Sequence, residues 1–237
     1  MKTMYRKQIK PPVRTLLWLA VFQLWSVCFY QMGRCASMPG MTELPEPSFD
    51  SEVSVEAALS QRRSARSYTD QSLTLKQLGQ ILWAAQGMNS SKGYRTAPSA
   101  GALYPLEIYV VAGKVSDLEP GVYKYLPTKH GVSRVVKGDK RAELSRAALG
   151  QSPVRKAPVV LVFCAVYARV TGKYGQRGIM YVHMEAGHAA QNVYLQSEAL
   201  ELGAVSIGAF QDEEVKAVLN NDIEEQPLYL MPVGNPR

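Results

Sequence analysis

A chain of 237 residues that is 46% hydrophobic and 20% charged carries enough apolar side chains for one packed domain, and this composition excludes a disordered or fibrous protein. Its net charge of +7 resembles that of a nucleic-acid or membrane-surface binder, but six cations (Lys2, Arg6, Lys7, Lys10, Arg14 and Arg34) fall in the first 37 residues, which hold no Asp or Glu. Without them the charge is +1, and no recognition-helix or zinc-finger spacing follows, so a nucleic-acid partner is excluded.

Behind the basic stretch, residues 16–30 (LLWLAVFQLWSVCFY) form an uncharged apolar run, and Gln31 to Ser37 follow with small and polar residues. This order reads as a signal peptide or an uncleaved membrane anchor over residues 1–37. The run is shorter than the roughly 20 residues of a full span. Positive charge on its N-terminal side predicts a domain that is exported or anchored on the non-cytoplasmic side, in the periplasm or at the cell surface, touching membrane only through this segment. Residues 38–52, with Pro39, Gly40, Pro45 and Pro47, have linker composition, and the domain occupies 53–237.

Within the domain a helix over 54–61 runs into the basic cluster Arg62-Arg63-Ser64-Ala65-Arg66. Thr74 opens a Thr-x-x-Gln capping box, and the helix 75–86 stops at Gly87. Leu75, Leu78, Ile81, Leu82 and Ala85 form its buried stripe. Residues 106–112 form a strand, and 121–126 with 132–136 a hairpin. Asp139 caps a helix to 149, and the apolar run 158–167, which contains Cys164, is a strand buried on both faces. Residues 179–202 make the longest helix, with Ala186, Gly187, Ala189 and Ala190 letting another backbone approach. A strand over 204–210, a helix over 213–219 and a strand over 227–233 complete an α+β pattern, a central and mainly antiparallel sheet flanked by helices.

Three segments combine anion-binding side chains, small residues and strand ends. The guanidinium forks and hydroxyl of Arg62, Arg63, Ser64 and Arg66 suit a phosphate dianion, although a solvated basic turn has the same composition. Ala97 to Pro105 (APSAGALYP) sets small residues between prolines, where main chain can approach a flat ligand. Ser206-Ile207-Gly208-Ala209-Phe210 leaves backbone N–H groups free to donate. Cys28, Cys35 and Cys164 lack Cys-x-x-Cys or Cys/His spacing, so no metal site is implied.

In this order and at this separation, the three segments resemble the FMN-binding elements of the nitroreductase superfamily. Ser99-Ala100-Gly101-Ala102-Leu103-Tyr104-Pro105, Lys173-Tyr174-Gly175 with Arg177, and Glu185-Ala186-Gly187-His188-Ala189-Ala190-Gln191-Asn192 are similar to the SagB/McbC-type dehydrogenase branch. The resemblance implies the nitroreductase fold, FMN as cofactor and a homodimer with FMN at the subunit boundary. It implies that Arg62, Arg63, Ser64 and Arg66 hold the phosphate and ribityl chain. Ser99, Ala100, Gly101 and Leu103 would line the isoalloxazine, and Ile207, Gly208 and Ala209 would set donors near N5. Arg237 is a further phosphate ligand or a frayed terminus. Lys173 and Tyr174 match the pair assigned to proton abstraction in azoline dehydrogenases, and are equally compatible with a surface loop. His188 and Asn192 lie one turn apart on the long helix, with Glu185 in reach of His188 in a core role. The implied activity is hydride transfer between flavin N5 and a small or peptidic substrate. The alternatives are a flavin-binding protein without turnover and an NAD(P)H-dependent nitro or quinone reductase. Substrate pockets are expected in loops such as 171–179.

Overall fold

The computed structural model describes residues 40–221 and 224–237, and the predicted signal or anchor over 1–37 lies outside them. Among the described residues, seven strands form one sheet in the order β1-β4-β3-β2-β5-β7-β6. They are β1 (Met41–Glu43), β2 (Leu106–Ala112), β3 (Gly121–Leu126), β4 (Gly131–Lys137), β5 (Val159–Val166), β6 (Gly203–Ala204) and β7 (Glu225–Gly234). Every neighbouring pair is antiparallel.

The continuous apolar run at β5 follows from its place between β2 and β7, with helices over both faces. Leu161, Phe163 and Ala165 point into one core, and Val160, Val162 and Cys164 into the other, all at 0% exposure. The first core is closed by α2 (Leu75–Gln86) and the long α6 (Arg177–Ala199), through Leu78, Ile81, Leu82, Val182, Ala186 and Ala189. The second is closed by α3 (Arg141–Ala147), α4 (Ser152–Lys156) and α7 (Asp212–Leu219), through Leu144, Val154, Val215 and Leu219. Each of the Leu, Ile and Val side chains among them contributes roughly 1.5–3 kcal/mol by leaving water.

The ends of α2 are set locally. Thr74 Oγ1 accepts from Gln77 N at 3.1 Å and Gln77 Oε1 accepts from Thr74 N at 2.9 Å, so both halves of the capping box are formed. Gly87 stops the helix in extended backbone (φ −66°), where a Cβ would lie 2.3 Å from Trp83 Cδ1. Space, and not a left-handed turn, selects glycine there. The first domain helix, α1 (Val55–Gln61), is capped by Ser54.

Several elements differ from the sequence reading. Residues 41–43, within the stretch of linker composition, pair with β4 at the sheet edge. Leu44 is buried behind them, and His130 Nε2 lies 3.0 Å from Pro45 O. Residues 171–179 are not a loop: α5 (Ala168–Tyr174) and the first turn of α6 occupy them, separated by Gly175 at φ 56°. Helix α3 ends at Ala147 because Leu149 (φ 57°) and Gly150 (φ 75°) reverse the chain into the unpredicted five-residue α4. The strand expected over 204–210 is limited to Gly203–Ala204 plus a bridge from Ile207 to Leu230.

The expected exported or membrane-anchored placement is corrected. No helix among the described residues is long and apolar enough to cross a membrane. The longest, α6, carries Arg177, Glu185, Gln191 and Glu198 along its length. The apolar run 16–30 on which that placement rested lies outside the described residues and falls short of the roughly 20 residues a span requires. Charge asymmetry across so short a run does not establish the side of a membrane on which the domain sits.

Candidate active site

The basic segment after α1 is stitched into the sheet edge. Ala65 N donates to Ala204 O at 2.9 Å, Thr69 N to Asn235 O at 2.9 Å and Arg237 N to Ser67 O at 3.2 Å. The Tyr68 hydroxyl, whose pKa burial pushes up, donates to Ala65 O at 2.6 Å and lies 3.2 Å from Pro232 O. The extended chain from Arg62 to Thr69 therefore runs between β6 and the C-terminal tail, which fixes the direction of its side chains.

Arg62 lies over the ring of Tyr194 on α6, with its guanidinium carbon 5.1 Å from the centroid. The Tyr194 oxygen accepts from Ser206 N at 2.7 Å and lies 3.3 Å from Ser206 Oγ. Burial would raise this phenol, but the hydrogen bonds from Ser206 and Ser64 and the nearby Arg62 charge outweigh it and hold the phenol below its ordinary range. Arg62, Ser64, Tyr194 and Ser206 thus form a polar cluster; Tyr194 was not identified from the sequence. Arg63 turns its guanidinium back onto Ser60, Gln61 and Arg62 carbonyls, at 3.1, 3.4 and 2.8 Å.

Arg66 faces a cavity of about 370 Å³ that it lines with Gln151, Ser152, Pro153 and residues 205–209. Ile207 exchanges two backbone hydrogen bonds with Leu230, at 2.8 and 3.0 Å, which pins the turn. Gln151 Nε2 donates to Ala209 O at 2.9 Å. The Gly208 and Ala209 N–H groups have no protein acceptor among the described residues. A Cβ on Gly208 would meet only Tyr229, at 4.0 Å, so the protein's own packing does not demand glycine there.

A second constellation surrounds the 99–105 loop. Gly101 (φ 64°), Ala102 (φ 54°) and Tyr104 (φ 45°) all take left-handed backbone, two of them against the preference of a Cβ-bearing residue. Ser99 Oγ holds the turn by accepting from Tyr104 N at 2.9 Å. A Cβ on Gly101 would lie 2.8 Å from the Tyr174 hydroxyl and 3.0 Å from Lys173 Nζ, so both predicted catalytic groups reach this loop. Arg169 ties their helix down, donating to Tyr104 O (3.0 Å) and pairing with Glu107 (2.6 Å). Beneath the loop Glu185 is 2% exposed, and burial pushes its carboxyl up to about 7 against the opposing pull of Ser99, Arg95 and Gln86. His188, by contrast, is exposed on α6, and Asn192 Nδ2 donates to Thr96 O at 3.3 Å. Ser99, Ala100, Gly101 and Leu103 do not line the Arg66 cavity, and Arg237 lines a different one.

An antiparallel sheet between helical layers, with Arg62 and Ser64 at one edge and, at a strand turn, two N–H groups that have no protein acceptor among the described residues, defines an α+β protein. The sequence model of the nitroreductase family matches residues 59–235, and the chain belongs to that family of oxidoreductases. It is 50% identical over 183 residues to "Putative nitroreductase MJ1384" of Methanocaldococcus jannaschii, covering 77% of this chain and 91% of that protein. The microcin B17-processing protein McbC of Escherichia coli is 29% identical over 134 residues, 54% of this chain and 49% of McbC. The FMN reductase (NADPH) of Bacillus subtilis is 28% identical over 188 residues, 73% of this chain and 62% of the reductase. Among solved structures, a nitroreductase-fold protein from Ralstonia eutropha superposes with a TM-score of 0.73 at 29% identity, covering 84% of this chain and 90% of that one. The chain thus spans about half the length of McbC and most of the length of MJ1384.

Proposed function

We propose that this protein is an FMN-dependent dehydrogenase of the SagB/McbC type, acting as a homodimer on a small or peptidic substrate. The observation that carries this reading is the pair of unpaired N–H donors at Gly208 and Ala209 facing the cavity that Arg66 enters, beside a glycine that only a closely approaching ligand would require. Neither Arg62 nor Arg66 has an ion-pair partner among the described residues, which leaves both available to a phosphate or a flavin oxygen.

When bound, FMN supplies the two-electron redox chemistry. The chain's own residues orient and tune it. Arg62 and Ser64, backed by Tyr194, bind phosphate; Arg63, whose guanidinium faces its own helix end and whose backbone N–H donates to Glu198 Oε1 at 3.3 Å, closes the turn that presents them. Gly208 and Ala209 would offer backbone donors to the flavin ring, and Ile207 holds their turn. Lys173 and Tyr174 converge on Gly101, where either one, in its deprotonated form, would accept the substrate proton. Ser99, Ala100, Gly101 and Leu103 serve the cavity of the opposite subunit, since they stand outside the Arg66 cavity of their own chain. Exposed apolar side chains on α1 and α6, Val55 (62%), Leu59 (54%), Met184 (50%) and Met180 (42%), supply a surface for that second copy. The B. subtilis relative favours one further reading, an NADPH-dependent reductase using the same site.

The purified protein is expected to show flavin absorbance from bound FMN that bleaches with a reductant and returns with an acceptor. Replacing Arg62 and Arg66 together by Ala removes two charge-assisted contacts of roughly 1.5–3 kcal/mol each, so FMN affinity should fall at least about 100-fold. Unchanged affinity in a folded double variant would reduce the cluster to a solvated turn. Stimulation of turnover by NADPH, with no oxidation of an azoline peptide, would select the reductase reading.

A further inference from the structure

The cavity that contains Arg237 is larger than the one at Gly208, about 540 Å³ against 370 Å³, and its charge is one-sided. Lys114, Arg141, Arg146, Arg155, Lys156 and Arg237 line it, with Asp70 as the only carboxylate side chain in the wall. Residues 38–237 hold 21 Lys and Arg against 20 Asp and Glu, so six cations around one cavity are a local concentration within a nearly neutral domain.

Two of these cations are already neutralised. Lys114 pairs with Asp70 at 3.0 Å and Arg141 with Asp139 at 2.6 Å. Arg146, Arg155, Lys156 and Arg237 have no carboxylate within ion-pair distance among the described residues. The backbone brings them together: α3 carries Arg146, the left-handed Leu149 and Gly150 turn the chain, and α4 returns with Arg155 and Lys156. Arg237 joins them through its backbone bond to Ser67. Arg146, Arg155, Lys156 and Arg237 are all exposed around this concave wall, where like charges repel one another and a multivalent anion relieves that repulsion. Guanidinium forks match phosphate oxygens in pairs, whereas the ammonium of Lys156 acts as a point charge.

We propose that this cavity is a second anion site, taking a small molecule that carries two or more phosphate groups. It adjoins the flavin cavity, with Ser152 in both walls, but Arg62, Ser64 and Arg66 do not line it. Its ligand therefore binds beside the flavin and does not replace it.

Titration calorimetry with inorganic pyrophosphate at low ionic strength tests this on the full chain, once saturated with FMN and once flavin-free. Adenosine 2′,5′-bisphosphate serves as a second probe and distinguishes a nucleotide from free pyrophosphate. The expected result is one site per chain in the FMN-saturated protein, and in the flavin-free protein the same site together with any binding at the vacant phosphate grip. Affinity should drop at least tenfold in Arg146→Gln/Lys156→Gln with flavin content unchanged, and stay within twofold in the remote exposed pair Lys92→Gln/Lys129→Gln. Binding only to flavin-free protein would overturn the proposal, because the probe would then be occupying the flavin's phosphate grip. Equal losses in the two double variants would overturn it as well, since attraction would then be non-specific. If the protein took up no FMN, the flavin-free titration would still decide the matter, so this site and the flavin reading can fail separately.

Discussion

Glu185 is a buried carboxyl whose protonation is set by its surroundings. Its Oε1 has no hydrogen-bond partner, nor has Nε2 of the adjacent buried Gln86, whose Oε1 is taken by Arg95 at 2.9 Å. Burial pushes the carboxyl from 4.5 to about 7, while Ser99, Arg95 and Gln86, the polar and charged groups that face it, pull the other way. An acid whose folded pKa is raised favours the neutral form in the fold. Its stabilising contribution is therefore full below about 4.5 and is lost as pH rises through about 7. The displacement corresponds to at most about 3 kcal/mol. Denaturant midpoints at pH 5 and pH 8 should show the native protein weakening across this window and Glu185→Gln changing much less. A parallel decline in both would assign the titration to another group.

At the scale of elements, the parts fixed by neighbouring residues were legible and those fixed by distant ones were not. The Thr-x-x-Gln signature placed α2 correctly because both capping hydrogen bonds close within four residues. Thr74→Ala should cost about 1 kcal/mol, read as a lower denaturant midpoint, whereas Thr74→Ser should retain most of it. The β5 strand was equally legible from an unbroken apolar run, and β2 from one interrupted only by Glu107. The stretch 171–179 was not, since it has glycines at 172, 175 and 178 and lacks a regular apolar stripe. Its helices are held by Val170 buried in the core and by the Arg169 clamp on Tyr104. Tyr194 shows the same limit within the site. Its partners Arg62 and Ser206 come from opposite ends of the domain, and no local spacing marks the convergence. The small residues of α6 were legible as a close-approach surface but not as to which surface they approach. Ala186, Ala189 and Ala190 pack inside the subunit, and Gly187, with nothing within 4 Å of an added Cβ, faces outward.

At the scale of the whole molecule, the expected flavin contacts fall into two groups. Arg62, Ser64, Arg66, Gly208 and Ala209 lie around one edge of the sheet, while Ser99, Gly101, Lys173 and Tyr174 gather around a loop outside that cavity. A homodimer that joins the first group of one chain to the second group of its partner makes two complete sites. This arrangement predicts complementation between two inactive proteins. Arg62→Ala/Arg66→Ala disables the first group, and Gly101→Leu, whose side chain collides with Lys173 and Tyr174 at a left-handed position, disables the second. After mixing, partial unfolding and refolding, half of the dimers are mixed, and each mixed dimer carries one intact site and one doubly damaged site. Flavin content and turnover should therefore recover to about a quarter of the native value, whereas each variant refolded alone stays inactive. Absence of recovery, with mixed dimers demonstrated by two affinity tags, would mean that both groups serve a site within one chain.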